Sequence, residues 1–271
     1  MGLIPEEIER HYQQVVEAER LAAEQGELER LRTQQILARE LPPPPAVIFD
    51  VGGAAGVYAI PLAKQGYQVH LIDPVERHLR QARAGAEAAR VVLASIVRGD
   101  ARKLEVRAGT ADAVLLLGPL YHLVEQSDRM VALREALRIL KPGGILVAAA
   151  ISRFASLIDG VSRGFFKDPV FRKIVAGDLA SGQHRNPTEN AHYFTTAFFH
   201  HPEQLDAEVR EAGFEEVQVL AVEGPIWSAA QFSQTWRDPV QRRELMEFLA
   251  LVEREPSVLG ASAHLLAVGR A

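Results

Sequence analysis

Residues 46–80, AVIFDVGGAAGVYAIPLAKQGYQVHLIDPVERHLR, constrain the fold more than any other stretch. Val47, Ile48 and Phe49 form an apolar run too short for a helix and right for a buried strand, which Asp50 ends. Gly52, Gly53 and Gly56 then let the backbone turn sharply and let a ligand approach the main chain. Residues 57–65 carry apolar side chains at helical spacing, and Gly66 stops them. Residues 67–72 read as a second strand with Asp73 at its C-terminal end. The stretch is one βαβ unit, whose ligand crevice lies beyond the carboxyl ends of its strands.

The remaining chain extends this unit. Residues 5–41 have helical spacing, with Gly26 expected to split them into two helices, and Pro42 to Pro45 form a stiff spacer. Residues 1–45 are thus read as a helical lid with a proline linker, and 46–271 as the main domain. A helix over 74–85 and a strand over 91–98 lead to Gly99-Asp100-Ala101. A fourth strand over 113–117 runs into Leu117-Gly118-Pro119-Leu120-Tyr121-His122. A helix over 130–140, the stop Lys141-Pro142-Gly143-Gly144 and a fifth strand over 145–151 follow. Residues 152–197, rich in Phe and Gly, are expected to form a mostly helical cap over the pocket. A helix over 202–213, a sixth strand over 214–222, helices over 225–253 and an antiparallel last strand over 264–269 complete the series.

Composition narrows the function. The 271 residues are 48% hydrophobic, enough for one large α/β domain with additions. A net charge of −5 argues against a broad basic face for nucleic acid. The absence of cysteine removes disulfides, thiolate nucleophiles and Cys-ligated zinc. No signal-peptide core and no apolar run of roughly 20 residues is visible, so a soluble cytoplasmic protein without a membrane partner is expected.

The glycine turn reads Asp50-Val51-Gly52-Gly53-Ala54-Ala55-Gly56, which is not the dinucleotide fingerprint G-x-G-x-x-G. It resembles motif I of the class I S-adenosylmethionine (SAM) methyltransferases, D/E-x-G-x-G-x-G, with Ala54 in place of the middle glycine. The ordered elements up to residue 151 are similar to UbiE-like enzymes that act on small molecules. The resemblance implies an α/β fold: a doubly wound, seven-stranded, mostly parallel Rossmann-like sheet of order 3-2-1-4-5-7-6. It implies that Asp50, Gly52, Gly53 and Gly56 hold the methionine end of SAM, and that Asp73 and Pro74 meet the ribose. Asp100 and Ala101 would read the adenine, and Leu117 and Gly118 would lie against the sulfonium. S-adenosylhomocysteine would be the product. A lid role for the N-terminal segment brings Tyr12 and Arg32 towards the site.

Transfer to a hydroxyl or ammonium also requires removal of a proton, and His is the usual base near neutral pH. His122, just after the fourth strand, is the candidate. Tyr121, His192 and Tyr193 are candidates to orient the acceptor, and Arg153, Arg163 and Arg172 to pair an acidic group on it. No recognised metal-ligand spacing is present, and none is assigned. The expected activity is methylation of a small molecule. A SAM-binding protein without turnover, a methyltransferase for macromolecules and a nicotinamide oxidoreductase are the alternatives. The N/D-P-P-Y/F tetrapeptide of many nucleic-acid methyltransferases is replaced by Leu117-Gly118-Pro119-Leu120, which disfavours the macromolecular one. Ala54 is expected to be tolerated, with positive φ angles falling on the flanking glycines.

Overall fold

The computed structural model describes residues 4, 5, 7, 8, 10, 11, 24–188 and 190–271. The first long helix, α1 (Glu24–Glu40), has Glu24 and Glu27 in its first turn and Arg39 in its last, which suits the helix dipole. It runs through Gly26, which was expected to break it. A helical glycine costs about 1 kcal/mol against alanine. Tertiary contacts outweigh that cost here: Gln25 donates to the Trp227 carbonyl at 2.9 Å and Trp236 donates to Glu27 at 2.9 Å.

The βαβ unit forms as read. β1 (Val47–Val51) and β2 (Gln68–Asp73) pair in parallel from Val47 opposite Gln68 to Val51 opposite Ile72, joined by α2 (Ala59–Lys64). The helix α3 (Glu76–Ala88) leads to β3 (Ser95–Arg98) beyond β2. The chain then crosses to the other side of β1 as β4 (Ala111–Leu116). The strand order therefore reverses between β1 and β4, and a crevice opens beyond their carboxyl ends. The helices α4 (Pro119–His122) and α5 (Gln126–Ile139) precede β5 (Leu140–Ser152). β5 begins earlier than expected: Leu140 pairs with Ala111, the Lys141-Pro142-Gly143-Gly144 stretch bulges, and regular pairing resumes at Ile145.

Residues 152–197 contain α6 (Ala155–Ser162), α7 (Pro169–Ser181) and β6 (Gln183–His184), followed by β7 (Ala197–His200). The insertion is therefore not purely helical. Ile151 pairs with β7 while also pairing with the last strand, so β7 occupies the β4 edge of β5 above the point where β4 ends. After α8 (Pro202–Glu211) come β8 (Glu215–Ala221), α9 (Phe232–Arg237), α10 (Pro239–Val252), α11 (Pro256–Leu259) and β9 (His264–Arg270). β9 runs antiparallel to both β5 and β8. The main sheet reads β3-β2-β1-β4-β5-β9-β8, the expected seven-stranded order, and β7 and β6 raise the total to nine.

Alternation along the strands feeds two cores. Phe49, Ile72, Val114 and Leu146 pack against α5 and α8 residues such as Leu133 and Leu205. Ile48, Leu71, Leu115 and Val147 pack against Ile36, Leu62 and Leu79 from α1, α2 and α3. A buried ion pair crosses from α5 to α8: Arg129 donates to both oxygens of Glu208 at 2.6 and 2.8 Å. Burial raises the Glu208 pKa, but the hydrogen bonds from Arg129 and His200 outweigh it and hold the group at about 2. Arg129 also donates to the carbonyls of Leu123 and Val124 and stacks over Phe198 at 3.8 Å. Arg129→Ala would strand Glu208 in the interior and is expected to cost about 3–5 kcal/mol, measured by denaturant unfolding.

Candidate active site

The crevice at the β1/β4 switch point is a cleft of about 330 Å³. Its floor is the glycine turn. The Gly52 and Gly53 amides both reach the Ile72 carbonyl, at 2.7 and 3.3 Å, binding the turn across to β2. A Cβ on Gly52 would sit 2.7 Å from the Pro119 ring, so only glycine lets α4 close over the turn. A Cβ on Gly53 would sit 2.7 Å from an Asp50 carboxylate oxygen. Gly52 and Gly56 have φ of +74° and +81°, but Ala54 too is left-handed, at +45°. The expectation that glycines alone take the strained angles fails. Ala54 is held there because its amide donates to Asp73 Oδ2 at 2.9 Å. Ala54→Gly is expected to relieve the strain and raise stability by about 1 kcal/mol, read as a higher melting temperature.

Asp73 ties this turn to the next one. Its Oδ1 accepts from the Val75 amide at 2.9 Å and lies 3.0 Å from His78 Nδ1. Asp50 is fully buried, and neither carboxylate oxygen has a hydrogen-bond partner among the described residues. Burial, together with the charge of Asp73, pushes its carboxyl up to about 7, and the nearby Ala59 amide offsets only part of this. The folded pKa lies above the unfolded one, so the stability this group confers is complete below about 4 and is lost as pH rises through about 7. Asp50→Asn removes the buried charge. It is expected to flatten that pH dependence and to stabilise the ligand-free protein by a few kcal/mol above pH 7, on the order of the shift itself, in thermal unfolding across pH.

The expected site residues divide clearly. Asp50, Gly52, Gly53, Asp73, Pro74, Asp100, Ala101, Leu117, Gly118, Tyr121 and His122 all line the cleft. Gly56 lies just behind it, against Ile60. Asp100 carries Arg102 on its carboxylate, at 2.6 Å to Oδ2, and Arg102 reaches on to Asp128 at 2.8 Å. Burial raises the Asp100 pKa, but the Arg102 hydrogen bonds and charge bring it below the ordinary value. Tyr12 lies outside the described residues.

Six expected acceptor residues lie elsewhere. Arg32 is buried against Glu253 at 2.6 Å and the Val222 carbonyl at 3.1 Å, fastening α1 to α10 and the end of β8. Arg153 donates to the Phe199 carbonyl at 2.8 Å and to Gln204 at 3.1 Å. His192 is exposed beside Arg163, and Tyr193 donates to Asp168 at 2.8 Å. Arg163 also stacks on Phe165, and Arg172 donates to the Phe166 carbonyl. The cap aromatics Phe165, Phe166, Phe171 and Tyr193 gather into a small core of their own. An insertion of this length needs its own apolar centre, so its aromatic content reported packing, not a ligand.

Other residues complete the cleft without having been singled out: Ile4, Pro5, Glu7 and Ile8 from the N-terminal segment, with Val57, His78, Arg102, Arg185 and Thr196. Glu7 accepts from Thr196 Oγ1 at 3.0 Å, which fixes that segment to the cap. His122 faces the Thr196 carbonyl with Nδ1 at 3.3 Å, an arrangement that puts the proton on Nδ1 and the lone pair on Nε2. Burial lowers its pKa to about 4, so the ring is neutral at pH 7.

Residues 48–144 match the family described as a methyltransferase domain. Over this stretch the chain is similar to the class I methyltransferases. The ubiquinone biosynthesis O-methyltransferase of Methylobacterium nodulans is 32% identical over 54% of this chain and 54% of its own length. The ubiquinone/menaquinone biosynthesis C-methyltransferase UbiE of Caulobacter vibrioides is 30% identical over 47% of this chain and 53% of its own. The chain thus spans about half the length of the curated relatives it matches. A SAM-dependent methyltransferase of Thermotoga maritima, described as a possible histamine N-methyltransferase, superposes with a TM-score of 0.57 at 20% identity over 97% of each chain. The 4+2 cyclase SpnF superposes with a TM-score of 0.56 at 19% identity over 89% of this chain and 80% of that one. These two likenesses concern the scaffold, which hosts more than one chemistry. SAM is the cofactor that the matched family implies, and the buried Asp50 carboxylate, which has no hydrogen-bond partner among the described residues, fits its ammonium group. Among the described residues, no helix is long and apolar enough to cross a membrane.

Proposed function

We propose that this chain transfers a methyl group from SAM to a small-molecule acceptor. The observation that carries the reading is one cleft lined by the buried Asp50 carboxylate, which has no hydrogen-bond partner among the described residues, by glycines and by the neutral ring of His122. Asp50 and the Gly52–Gly53 backbone would hold the methionine end, Asp73 and Pro74 the ribose, and Asp100 and Ala101 the adenine. Leu117 and Gly118 would back the sulfonium. When bound, SAM supplies an electrophilic methyl group on a good leaving group, so alignment and exclusion of water carry much of the rate.

The chain's own residues serve those two needs. Ile4, Ile8, Val57 and Leu123 give the cleft apolar walls. Tyr121 and His122 stand where an acceptor would meet Leu117 and Gly118. A base with a pKa of about 4 holds a proton poorly at neutral pH. His122 is therefore better suited to accept a hydrogen bond from the acceptor and orient it than to retain its proton. The carboxylates of Glu7, Asp73 and Glu125 in the lining suit a cationic cofactor. The relatives named for quinone biosynthesis support a small acceptor.

Calorimetry with SAM, NAD and NADP, followed by a labelled-methyl assay on pooled small metabolites, RNA and protein, tests the reading. SAM alone should bind, and Asp73→Ala should weaken it by about 1.5–3 kcal/mol. Label should enter the small-molecule fraction, and His122→Ala should raise KM for the acceptor more than it lowers kcat. Label confined to RNA or protein, or no binding of SAM, overturns it.

A further inference from the structure

Phe194 follows the short turn Ala191–Tyr193 in the cap with φ 67° and ψ −172°. That region is nearly confined to glycine and is costly for a bulky residue. The backbone is pinned on each side. The Phe194 amide donates to the Ala191 carbonyl at 3.3 Å, and Asn186 Nδ2 donates to the Phe194 carbonyl at 2.7 Å. His184 Nε2 lies 2.7 Å from the Tyr193 carbonyl, and its Nδ1 lies 2.9 Å from the buried Asp178.

This conformation places the Phe194 ring among four others. It stacks on His122 at 6.0 Å with an interplanar angle of 27°. It meets His11 edge-on at 5.4 Å, and Tyr121 and His184 at 6.5 and 6.1 Å. Phe194 does not line the cleft, whereas His122 and Thr196 do. It stands beside the His122 ring, two residues before the carbonyl that faces Nδ1.

Resting on the reading of His122 as the group that orients the acceptor, we propose that Phe194 is a positioning residue. Its strained backbone holds the ring against His122, fixes the imidazole plane towards the cleft and keeps water from that face. The groups acting on His122 come from several elements: His11 of the N-terminal segment and His78 of α3 oppose its protonation, while Asp73 of β2 and the Thr196 carbonyl favour it. Burial acts with the two histidines and outweighs Asp73 and the Thr196 carbonyl, and the Phe194 ring stands on one face of the imidazole.

The test is an NMR titration of histidine rings in the full chain, from about pH 8 to about pH 5, with His122→Gln to assign the signal. In the wild type His122 should stay neutral throughout. In Phe194→Gly and Phe194→Ala the midpoint should rise into that window, by about one pH unit or more, as water reaches the ring. Phe194→Gly also relieves the φ strain, so it folds even where the alanine variant does not. Phe194→Tyr keeps the ring and should restore the wild-type behaviour. Binding of S-adenosylhomocysteine should stay within about twofold in each variant, since Phe194 lies outside the cleft. A His122 midpoint unmoved in folded Phe194→Gly overturns the proposal. If the midpoint moves but His122→Gln leaves methyl transfer unchanged, the role of His122 fails while the positioning by Phe194 stands.

Discussion

The carboxylate of Asp73 is the joint on which the cleft depends. One oxygen takes the Ala54 amide from the turn after β1, and the other takes the Val75 amide from the turn after β2. Two loops from different strands are thereby held at a fixed separation by one side chain. The same charge disfavours ionisation of Asp50 beneath the glycine turn. One carboxylate is therefore satisfied by protein donors while its neighbour lacks them among the described residues. Such a pair is poised to receive a cation, since the bound charge relieves what folding leaves uncompensated.

The parts of the fold that were legible in the sequence are local. The strand, glycine turn, helix and second strand lie within one continuous stretch, and the alternation of Ile48 and Phe49 already assigns each side chain to a face. Long-range partners were not legible. Arg32 reads as a helix-surface cation until Glu253, 221 residues away, is brought against it. Arg153 and Tyr193 read as available for the same reason; Arg153 is taken by the Phe199 carbonyl of β7 and Tyr193 by Asp168 within the cap. The two-residue β6 and the four-residue β7 are too short to announce themselves by period; β7 forms on the edge of β5, and β6 on the edge of β7. Ile4 and Ile8 carry no signal beyond apolar character, yet both reach the cleft.

The rim of the cleft is assembled differently from its floor. At the floor, strands and their turns supply the walls, and glycines set the approach. At the rim, Thr196 holds the N-terminal segment through Glu7, and Arg129 holds the Leu123 and Val124 carbonyls from below. Its shape follows from side chains that bridge elements far apart in the chain. Substitution at one bridge thus alters several lining positions together, and such effects are not additive.

β5 is thirteen residues long and serves three partners: β4 and β9 along its length, and β7 at its upper end. The cap leads into the sheet through one short parallel pairing, carries its own apolar centre, and is further tied to the rest by Thr196 with Glu7 and by Arg153 with Gln204. The molecule thus joins two bodies with separate apolar centres: the seven-stranded base that frames the cleft floor and the cap that meets the edge of β5.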